Sequence, residues 1–234
     1  MSGDSAALAA ALKRFEGLYP EVIHLSLGRV EAALEALGRP QDRLPPVIHV
    51  AGTNGKGSTS AFMRAMAEAA GLKVHVFTSP HLVRFNERIR LAGEIVDDDR
   101  LIDWLTRTYE ATRGKEITHF EATTAAALLA FSEVPADLLI LEVGLGGRYD
   151  ATNVIEQPAL CVITPVDFDH KAFLGSDISK IAGEKAGIIR PGRPVLSAIQ
   201  RKVCDDVITA EAARQGAPLY KLKAHYIDAM PDHI

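Results

Sequence analysis

The 234-residue sequence predicts an α/β fold with a doubly wound, mainly parallel β-sheet and a phosphate-binding loop. Short apolar runs alternate with helical stretches about six times, which is typical of a parallel sheet covered on both faces. One run, DLLILEV at 137–143, is apolar almost throughout, as expected of a strand buried on both faces. Another, beginning at Val47, leads into a glycine-broken turn and then a helix. This order predicts a ligand site at the carboxyl ends of the strands.

The phosphate loop lies in the stretch VIHVAGTNGKGSTS, residues 47–60. Its glycines have no Cβ, so the backbone can curl with its N–H groups pointing inward, and the N-terminus of the following helix adds partial positive charge. Lys56 supplies a full charge for the β- and γ-phosphates. Gly57 stands where the Walker pattern has Ser or Thr, so either Ser58 shifts inward or a metal takes its hydroxyl from elsewhere. A structural hairpin or helix cap is the alternative, but the Lys between a strand and a helix favours nucleotide binding.

The other elements follow from the periodicity of the apolar residues and from the positions of Gly and Pro. The second helix has one apolar stripe and ends at Gly38, and Asp97 can cap the helix that carries Trp104 on its apolar face. Residues 79–98 are rich in charge and lack helical periodicity, so we expect a long functional loop there. Predicted helices cover 5–19, 23–37, 56–70, 101–109, 118–131, 177–189 and 202–215, and later strands cover 73–78, 137–143, 159–164, 194–199 and 218–222.

Composition and charge argue against several classes of protein. The net charge is −4 without a long Lys/Arg run, which disfavours a nucleic-acid or anionic-membrane surface but is compatible with a small anionic ligand in a local cradle. Cys161 and Cys204 suit small buried residues in a reducing compartment better than a disulfide framework. The N-terminus lacks a signal-peptide pattern, and no apolar run approaches the ~20 residues of a membrane span. We therefore expect one domain over residues 1–234, a monomer in the cytoplasm.

Three polar residues follow the carboxyl ends of predicted strands, namely Ser79, Glu142 and His170. In a doubly wound sheet these ends lie side by side near the phosphate loop. Glu142 ends an apolar strand in the manner of a Walker B acid, which holds Mg²⁺ directly or through water. A buried acid without a partner costs several kcal/mol, so we expect a metal or an Arg beside it, with a structural acid as the alternative. From spacing alone, His170 is more often a hydrogen-bonded loop residue than a ligand.

Two further positions have a structural and a functional interpretation. Thr118 and Glu121 fit a capping box, and a cap at a ligand-facing helix start is compatible with substrate contact. Lys185, in the run GEKAGI, would ordinarily be a solvated surface lysine. Glu184 lies on another face of the helix, however, so local pairing does not explain this lysine.

Six segments stand out in order along the chain: HVAGTNGKGSTS, FTSPHLVRFNERI, FEATTAAALLAF, LEVGLGGRYDATN, the DH…LG of 169–175, and GEKAGIIRPGRPV. Together they resemble the folylpolyglutamate synthase/dihydrofolate synthase family within the Mur ligases, and the resemblance covers nearly everything from 18 to 220. It implies a Mur ligase central-domain-like fold and an ATP-dependent ligase of folate biosynthesis and one-carbon metabolism. ATP would phosphorylate a carboxylate of dihydropteroate or a folate, and the amine of L-glutamate would attack the acyl phosphate to form an amide.

The resemblance also implies the residues that bind the nucleotide and the metal. Mg²⁺ would be held by Ser79, Glu142 and His170, so that the hydroxyl absent at Gly57 comes from Ser79. Lys185 matches the lysine that the family carbamylates, and CO₂ would convert this cation into a carboxylate that can bind a second Mg²⁺. The catalytic residues would then be Lys56, His170 and Lys185. ATP phosphates would be bound by Thr53, Asn54, Gly55, Lys56, Gly57 and Ser58.

By the same resemblance, three segments form the pterin-binding side and a mobile loop covers it. This arrangement favours dihydrofolate synthase activity with polyglutamylation as a second activity. The implied contacts are Ile23, His24, Leu25, Thr118, His119, Phe120, Glu121, Tyr149, Asp150 and Ala151, with His81 and Arg84 in the covering loop.

Two departures from the family pattern matter. Gly28 replaces a charged residue, and because a Gly within a helix costs ~1 kcal/mol we expect a looser helix at the substrate edge. The chain also ends near the last strands of the ATPase domain, whereas the family continues into a second domain that helps to enclose adenine and glutamate. The phosphate and metal site is therefore expected without a complete catalytic cleft. A non-catalytic nucleotide- or pterin-binding remnant is the alternative, and a small P-loop kinase is disfavoured by Gly57.

Overall fold

The computed structural model describes residues 3–18, 26–168 and 177–222. Within these ranges the elements lie close to the positions expected from the apolar periodicity. The α-helices are α1 (Ala6–Lys13), α2 (Gly28–Ala36), α3 (Lys56–Ala69), α4 (Asp98–Thr112), α5 (His119–Glu133), α6 (Ile178–Ala186) and α7 (Lys202–Arg214). The strands are β1 (Val47–Ala51), β2 (Val74–Phe77), β3 (Ile89–Leu91), β4 (Glu94–Ile95), β5 (Leu138–Glu142), β6 (Leu160–Ile163), β7 (Val195–Ser197) and β8 (Leu219–Lys221).

These strands form one sheet in the order β4-β3-β2-β5-β1-β6-β7-β8. From β2 to β8 every neighbouring pair is parallel, and only the β2–β3 and β3–β4 pairs are antiparallel. The predicted mainly parallel sheet is therefore confirmed. Because β5 lies between β1 and β2, and β6 lies on the other side of β1, the carboxyl ends of these four strands meet at one edge of the sheet.

Helices cover both faces of the sheet, as the alternation of side chains along a strand requires. Leu139 and Leu141 point into the core formed with α1, α2, α4 and α5, and Cys161 points into the core formed with α6 and α7. Ile140 lies between Leu139 and Leu141 in the chain and therefore points to the opposite face of the sheet, where it packs with Val50 against α3. No helix within 3–18, 26–168 or 177–222 is long and apolar enough to cross a membrane.

Part of the stretch 79–98 is ordered secondary structure, which corrects the expectation of a single long loop. A 3₁₀ helix covers Phe85–Arg88, and β3 and β4 then form a hairpin that extends the sheet. Ala92 and Gly93 connect the two strands with φ angles of 51° and 98°. Positive φ at both turn residues is the geometry of a tight hairpin turn, and Gly supplies it without strain. The alternation of apolar residues across only three positions was too short to indicate a strand.

Helix starts follow the predicted capping signals, with one correction. Asp97 accepts a hydrogen bond from the Arg100 N–H at the start of α4, and the capping box of Thr118 and Glu121 is present at the start of α5. Gly28 is the first residue of α2 and does not lie within the helix, so the expected cost of a Gly in a helix interior does not apply. Trp104 is buried, as predicted.

Candidate nucleotide-binding site

The phosphate loop between β1 and α3 is fixed against the segment that follows β6. The backbone N–H groups of Thr53 and Asn54 both donate to the Pro165 carbonyl, at 3.0 and 3.1 Å. Gly52 has a φ of 146°, and a Cβ there would lie 1.8 Å from the Thr164 hydroxyl oxygen. Only Gly fits this conformation and this close approach. The loop is thus held in its curled form before any ligand binds.

Two lysine ammonium groups converge on one carbonyl of the loop. Lys56 donates to the Gly52 oxygen at 3.0 Å and to the Thr53 oxygen at 3.4 Å. Lys185, from α6, donates to the same Gly52 oxygen at 2.9 Å and is 2 % exposed. A solvated surface position for Lys185 is therefore wrong. The Lys56 ammonium beside the N-terminus of α3 creates a site that favours an anion with several charges, and the Lys185 amino group lies at the same carbonyl.

Glu142, at the end of β5, is a buried acid with an open oxygen. It is 3 % exposed, and its Oε2 atom accepts no hydrogen bond from the described residues. A Cβ at Gly57 would lie 3.8 Å from this oxygen, so the Gly leaves the approach to the carboxylate free. Burial raises the pKa of Glu142 to about 7, and the charge of Lys56 opposes this shift. The cation that acts on Glu142 is thus Lys56 of the phosphate loop, where a metal or an Arg was expected.

Ser79 and Glu142 line one cavity of about 370 Å³ together with Gly57. Ser58 is exposed, which favours Ser79 as the source of the hydroxyl that the loop lacks. A hydroxyl and an unpaired carboxylate oxygen are the hard ligands that Mg²⁺ prefers, so these residues fit the ion. Across 3–18, 26–168 and 177–222 no cluster of three His, Cys, Asp or Glu residues could hold a metal. His170, the third ligand implied by resemblance, lies outside the described residues.

Replacing Glu142 by Gln is expected to stabilise the metal-free protein above neutral pH. Folding raises the pKa of Glu142 from 4.5 to about 7, so the folded state binds the proton more tightly than the unfolded state does. Stability is then lost as the pH rises through this window, by on the order of 3 kcal/mol. Urea unfolding in EDTA should show Glu142→Gln to be more stable than wild type at pH 8, with a smaller gain at pH 5. A loss of stability at pH 8 would contradict the open buried carboxylate.

The loop after β5 is held by a buried chain of hydrogen bonds that the sequence did not reveal. Asp150 accepts from the Leu145 N–H at 2.8 Å and from the Thr152 hydroxyl at 2.6 Å. Because Thr152 donates to Asp150, its oxygen accepts from Nε2–H of His49, at 2.9 Å. Burial, aided by the charge of Arg190, lowers the pKa of His49 to about 3, so this imidazole is neutral. A His in the middle of the apolar strand VIHVA was the available signal.

This loop in turn positions α6. A Cβ at Gly147 would lie 2.4 Å from the Glu184 carbonyl oxygen and 3.0 Å from the Lys185 Cα. The Arg148 N–H donates to the same Glu184 oxygen at 2.8 Å. The loop and the helix therefore touch through their backbones at the position that carries Lys185.

The residues implied to contact substrate differ in their surroundings. Asp150 and Ala151 are buried within the loop and Tyr149 is 45 % exposed, so a substrate contact for this segment stays a prediction. Arg84 forms an ion pair with Asp98 at 2.7 Å. Ile23, His24 and Leu25 lie outside the described residues. A Cβ at Gly144 would lie 2.3 Å from the Phe120 ring, which brings the start of α5 against the loop after β5.

Glu121 has a partner that sequence reasoning missed. Its carboxylate accepts a hydrogen bond from the Thr118 N–H at 2.8 Å and further hydrogen bonds from Arg29, the shortest from Nε at 3.0 Å and from Nη2 at 2.8 Å. The side chain of Glu121 is 9 % exposed and that of Arg29 is 18 % exposed. A bidentate ion pair with little exposure fixes both groups strongly. It connects α2 to the start of α5.

A double-mutant cycle should show that Arg29 and Glu121 are coupled. Glu121→Gln keeps a side chain that can cap the helix and removes the charge, so a loss of about 1–3 kcal/mol would come from the ion pair. Arg29→Met should cost a similar amount, and the double variant less than the sum, with about 1–2 kcal/mol of coupling in urea unfolding. Strictly additive losses would show that the pair does not stabilise the fold.

Comparisons with known proteins agree with this architecture. No family model matches the chain. It is 45 % identical over 203 residues to the dihydrofolate synthase/folylpolyglutamate synthase of Bacillus subtilis, covering 84 % of this chain and 47 % of that protein. It is 37 % identical over 226 residues to the Escherichia coli protein of the same name, covering 97 % and 53 %. The chain thus spans about half the length of the curated relatives that it matches.

Solved structures show the same fold. The Mycobacterium tuberculosis folylpolyglutamate synthase complexed with ADP has a TM-score of 0.84 at 35 % identity, covering 92 % of this chain and 50 % of that one. E. coli FolC in complex with DHPP and ADP has a TM-score of 0.85 at 38 % identity, with 92 % and 51 % covered. Over the part of their length that it spans, the chain belongs to the dihydrofolate synthase/folylpolyglutamate synthase family.

Proposed function

We propose that this chain carries the ATP- and Mg²⁺-binding part of a ligase that joins L-glutamate to dihydropteroate and to folates. The main support is the meeting of two lysines and an open buried carboxylate at the carboxyl edge of the sheet. The relatives are named for this activity, and two of the similar structures hold ADP. Nothing comparable supports a small kinase, and the non-catalytic remnant remains the alternative for the chain on its own.

In the proposed reaction, a carboxylate oxygen of the acceptor attacks the γ-phosphorus of ATP and ADP leaves. The amine of L-glutamate then attacks the acyl phosphate, phosphate leaves, and an amide bond forms. The chain would contribute positioning and charge, which dominate catalysis of phosphoryl transfer. Lys56 would exchange its contacts with the Gly52 and Thr53 carbonyls for phosphate oxygens, and the loop N–H groups that do not donate to the Pro165 carbonyl would hold the β-phosphate.

Ser79, Glu142 and, by resemblance, His170 would hold Mg²⁺, which when bound offsets the charge of the phosphates. We also propose that Lys185 is carbamylated and holds a second Mg²⁺, since its amino group lies at the phosphate loop and is shielded from solvent. The segment Thr118–Glu121 would contact the pterin, with the carboxylate of Glu121 oriented by Arg29. We expect a cytoplasmic monomer.

The test is to titrate the chain with MgATP by calorimetry and then to assay phosphate release with dihydropteroate and L-glutamate. Binding together with phosphate release that requires both co-substrates would support the ligase. Binding without release would support the non-catalytic remnant. Absence of MgATP binding would contradict the proposal as a whole.

A further inference from the structure

The guanidinium of Arg88 lies beside the candidate site and donates one hydrogen bond to a side chain, through its Nε. Its Nε donates to Nδ1 of His81 at 2.9 Å, and its Cζ lies 5.1 Å from the centre of the Phe85 ring. Among the described residues no carboxylate forms an ion pair with Arg88, and burial lowers the pKa of its guanidinium. The His81 contact and the Phe85 ring fix the plane of the group. Its two terminal nitrogens are therefore preorganised donors.

Two imidazoles lie close to Arg88, whose guanidinium carries the positive charge of the cluster. His119 packs edge-on against Phe85, with ring centres 6.0 Å apart, and the ring centre of His81 lies 5.7 Å from that of Phe85. Burial and then the charge of Arg88 lower the pKa of His119, and the charge of Glu16 opposes this shift. Asp4 acts on Arg88 electrostatically, and its carboxylate accepts from the Phe85 N–H at 2.7 Å. His119 is also the first residue of α5, where the helix dipole adds positive charge. An anionic group is the ligand that this cluster favours.

Arg88 lies between the two halves of the proposed site. Its carbonyl accepts from the Thr78 N–H at 3.0 Å, directly before Ser79 in the chain. On the other side, His119 precedes Phe120 and Glu121, which belong to the segment proposed to contact the pterin. A substrate that extends from Glu121 toward the phosphates would pass this cluster.

We propose that Arg88, with His81 and His119, binds the carboxylate of dihydropteroate or of a folate that is to be activated. This inference rests on the proposed function and adds the group that holds the acceptor. A planar guanidinium suits a carboxylate because two parallel N–H groups can donate to its two oxygens. Holding the carboxylate in this way would orient one of its oxygens toward the γ-phosphate.

The test is calorimetry of the chain, in the presence of MgADP, with dihydropteroate and with its neutral carboxamide. Wild type should bind the carboxylate about tenfold more tightly than the amide, and Arg88→Met should lose this preference while binding the amide as before. Arg88→Lys keeps the charge without the planar fork and should keep only part of the preference. Arg113→Met, at an exposed position after α4, is the matched control and should keep all of it.

Each outcome distinguishes the inference from the function on which it rests. If Arg88→Met and Arg88→Lys keep the full preference, the inference is overturned while the proposed function stands. If wild type binds neither pterin ligand, the proposed substrate class itself is wrong. If Arg88→Met does not fold, Arg88→Lys alone decides, because an unchanged preference in that variant also overturns the inference.

Discussion

Replacing Lys56 by Met is expected to weaken MgATP binding by roughly 10- to 100-fold, which corresponds to the loss of one or two charge-assisted hydrogen bonds. The ammonium group already lies over the phosphate loop, 3.0 Å from the Gly52 carbonyl oxygen. It can therefore turn to a phosphate without a large change in conformation. Met keeps most of the apolar stem, so the protein should fold, and turnover should fall at least as much as binding. Calorimetric titration measures the effect directly.

Lys73→Met is the matched control for this prediction. Lys73 is exposed and directly precedes β2, so it lies at the amino ends of the strands, on the edge of the sheet opposite the candidate site. The same change of charge there should leave MgATP affinity within about twofold, because an exposed charge away from the site is screened by solvent. Equal losses in the two variants would mean that net charge, and not the position of Lys56, determines binding.

Gly147→Ala is expected to lower the free energy of unfolding by about 1–3 kcal/mol, the range for overpacking a closely packed contact. The added methyl group would meet the Glu184 carbonyl oxygen at 2.4 Å and the Lys185 Cα at 3.0 Å. Both are backbone atoms, so the loop and α6 must move apart, and we expect this to displace Lys185 from the Gly52 carbonyl. MgATP binding should weaken in parallel. Urea unfolding and calorimetry measure the two effects.

Gly183→Ala, in α6 itself, provides a control of opposite sign. No atom lies within 4 Å of a Cβ at this position. Because Ala is a better helix former than Gly by about 1 kcal/mol, the variant should be as stable as wild type or more stable. If Gly147→Ala were no less stable than Gly183→Ala, this result would contradict the claim that the contact between the loop and α6 leaves no room for a Cβ.

Much of the fold could be predicted because its signals are local. Apolar runs, Gly and Pro positions and capping residues depend only on near neighbours, and they located β5, α3 and the start of α5. Glu142 and Ser79 could be placed at one edge because a parallel sheet brings the carboxyl ends of its strands together. The hairpin around Ala92 and Gly93 was not predicted, because β3 and β4 are too short to show the alternation of apolar and polar residues that indicates a strand.

The missed features of the site depend on contacts between distant segments. Arg29 pairs with Glu121, 92 residues away, and His49 reaches Thr152 across 103 residues. Nothing in the local sequence of either polar residue identifies its partner. The environment of Lys185 is similar, since its burial follows from the contact of α6 with the loop after β5. Sequence patterns indicate which residues are unusual, whereas tertiary packing determines what they touch.

The central claim is that Lys56, Ser79 and Glu142 form one site for a nucleotide and its Mg²⁺. The most direct measurement is calorimetric titration of wild type and Glu142→Gln with ATP, in Mg²⁺ and in EDTA. Mg²⁺ should tighten ATP binding to wild type by about tenfold or more, and Glu142→Gln should lose this gain while still binding ATP in EDTA. A wild type that binds ATP equally well under both conditions, or a variant that keeps the full gain, would contradict the claim.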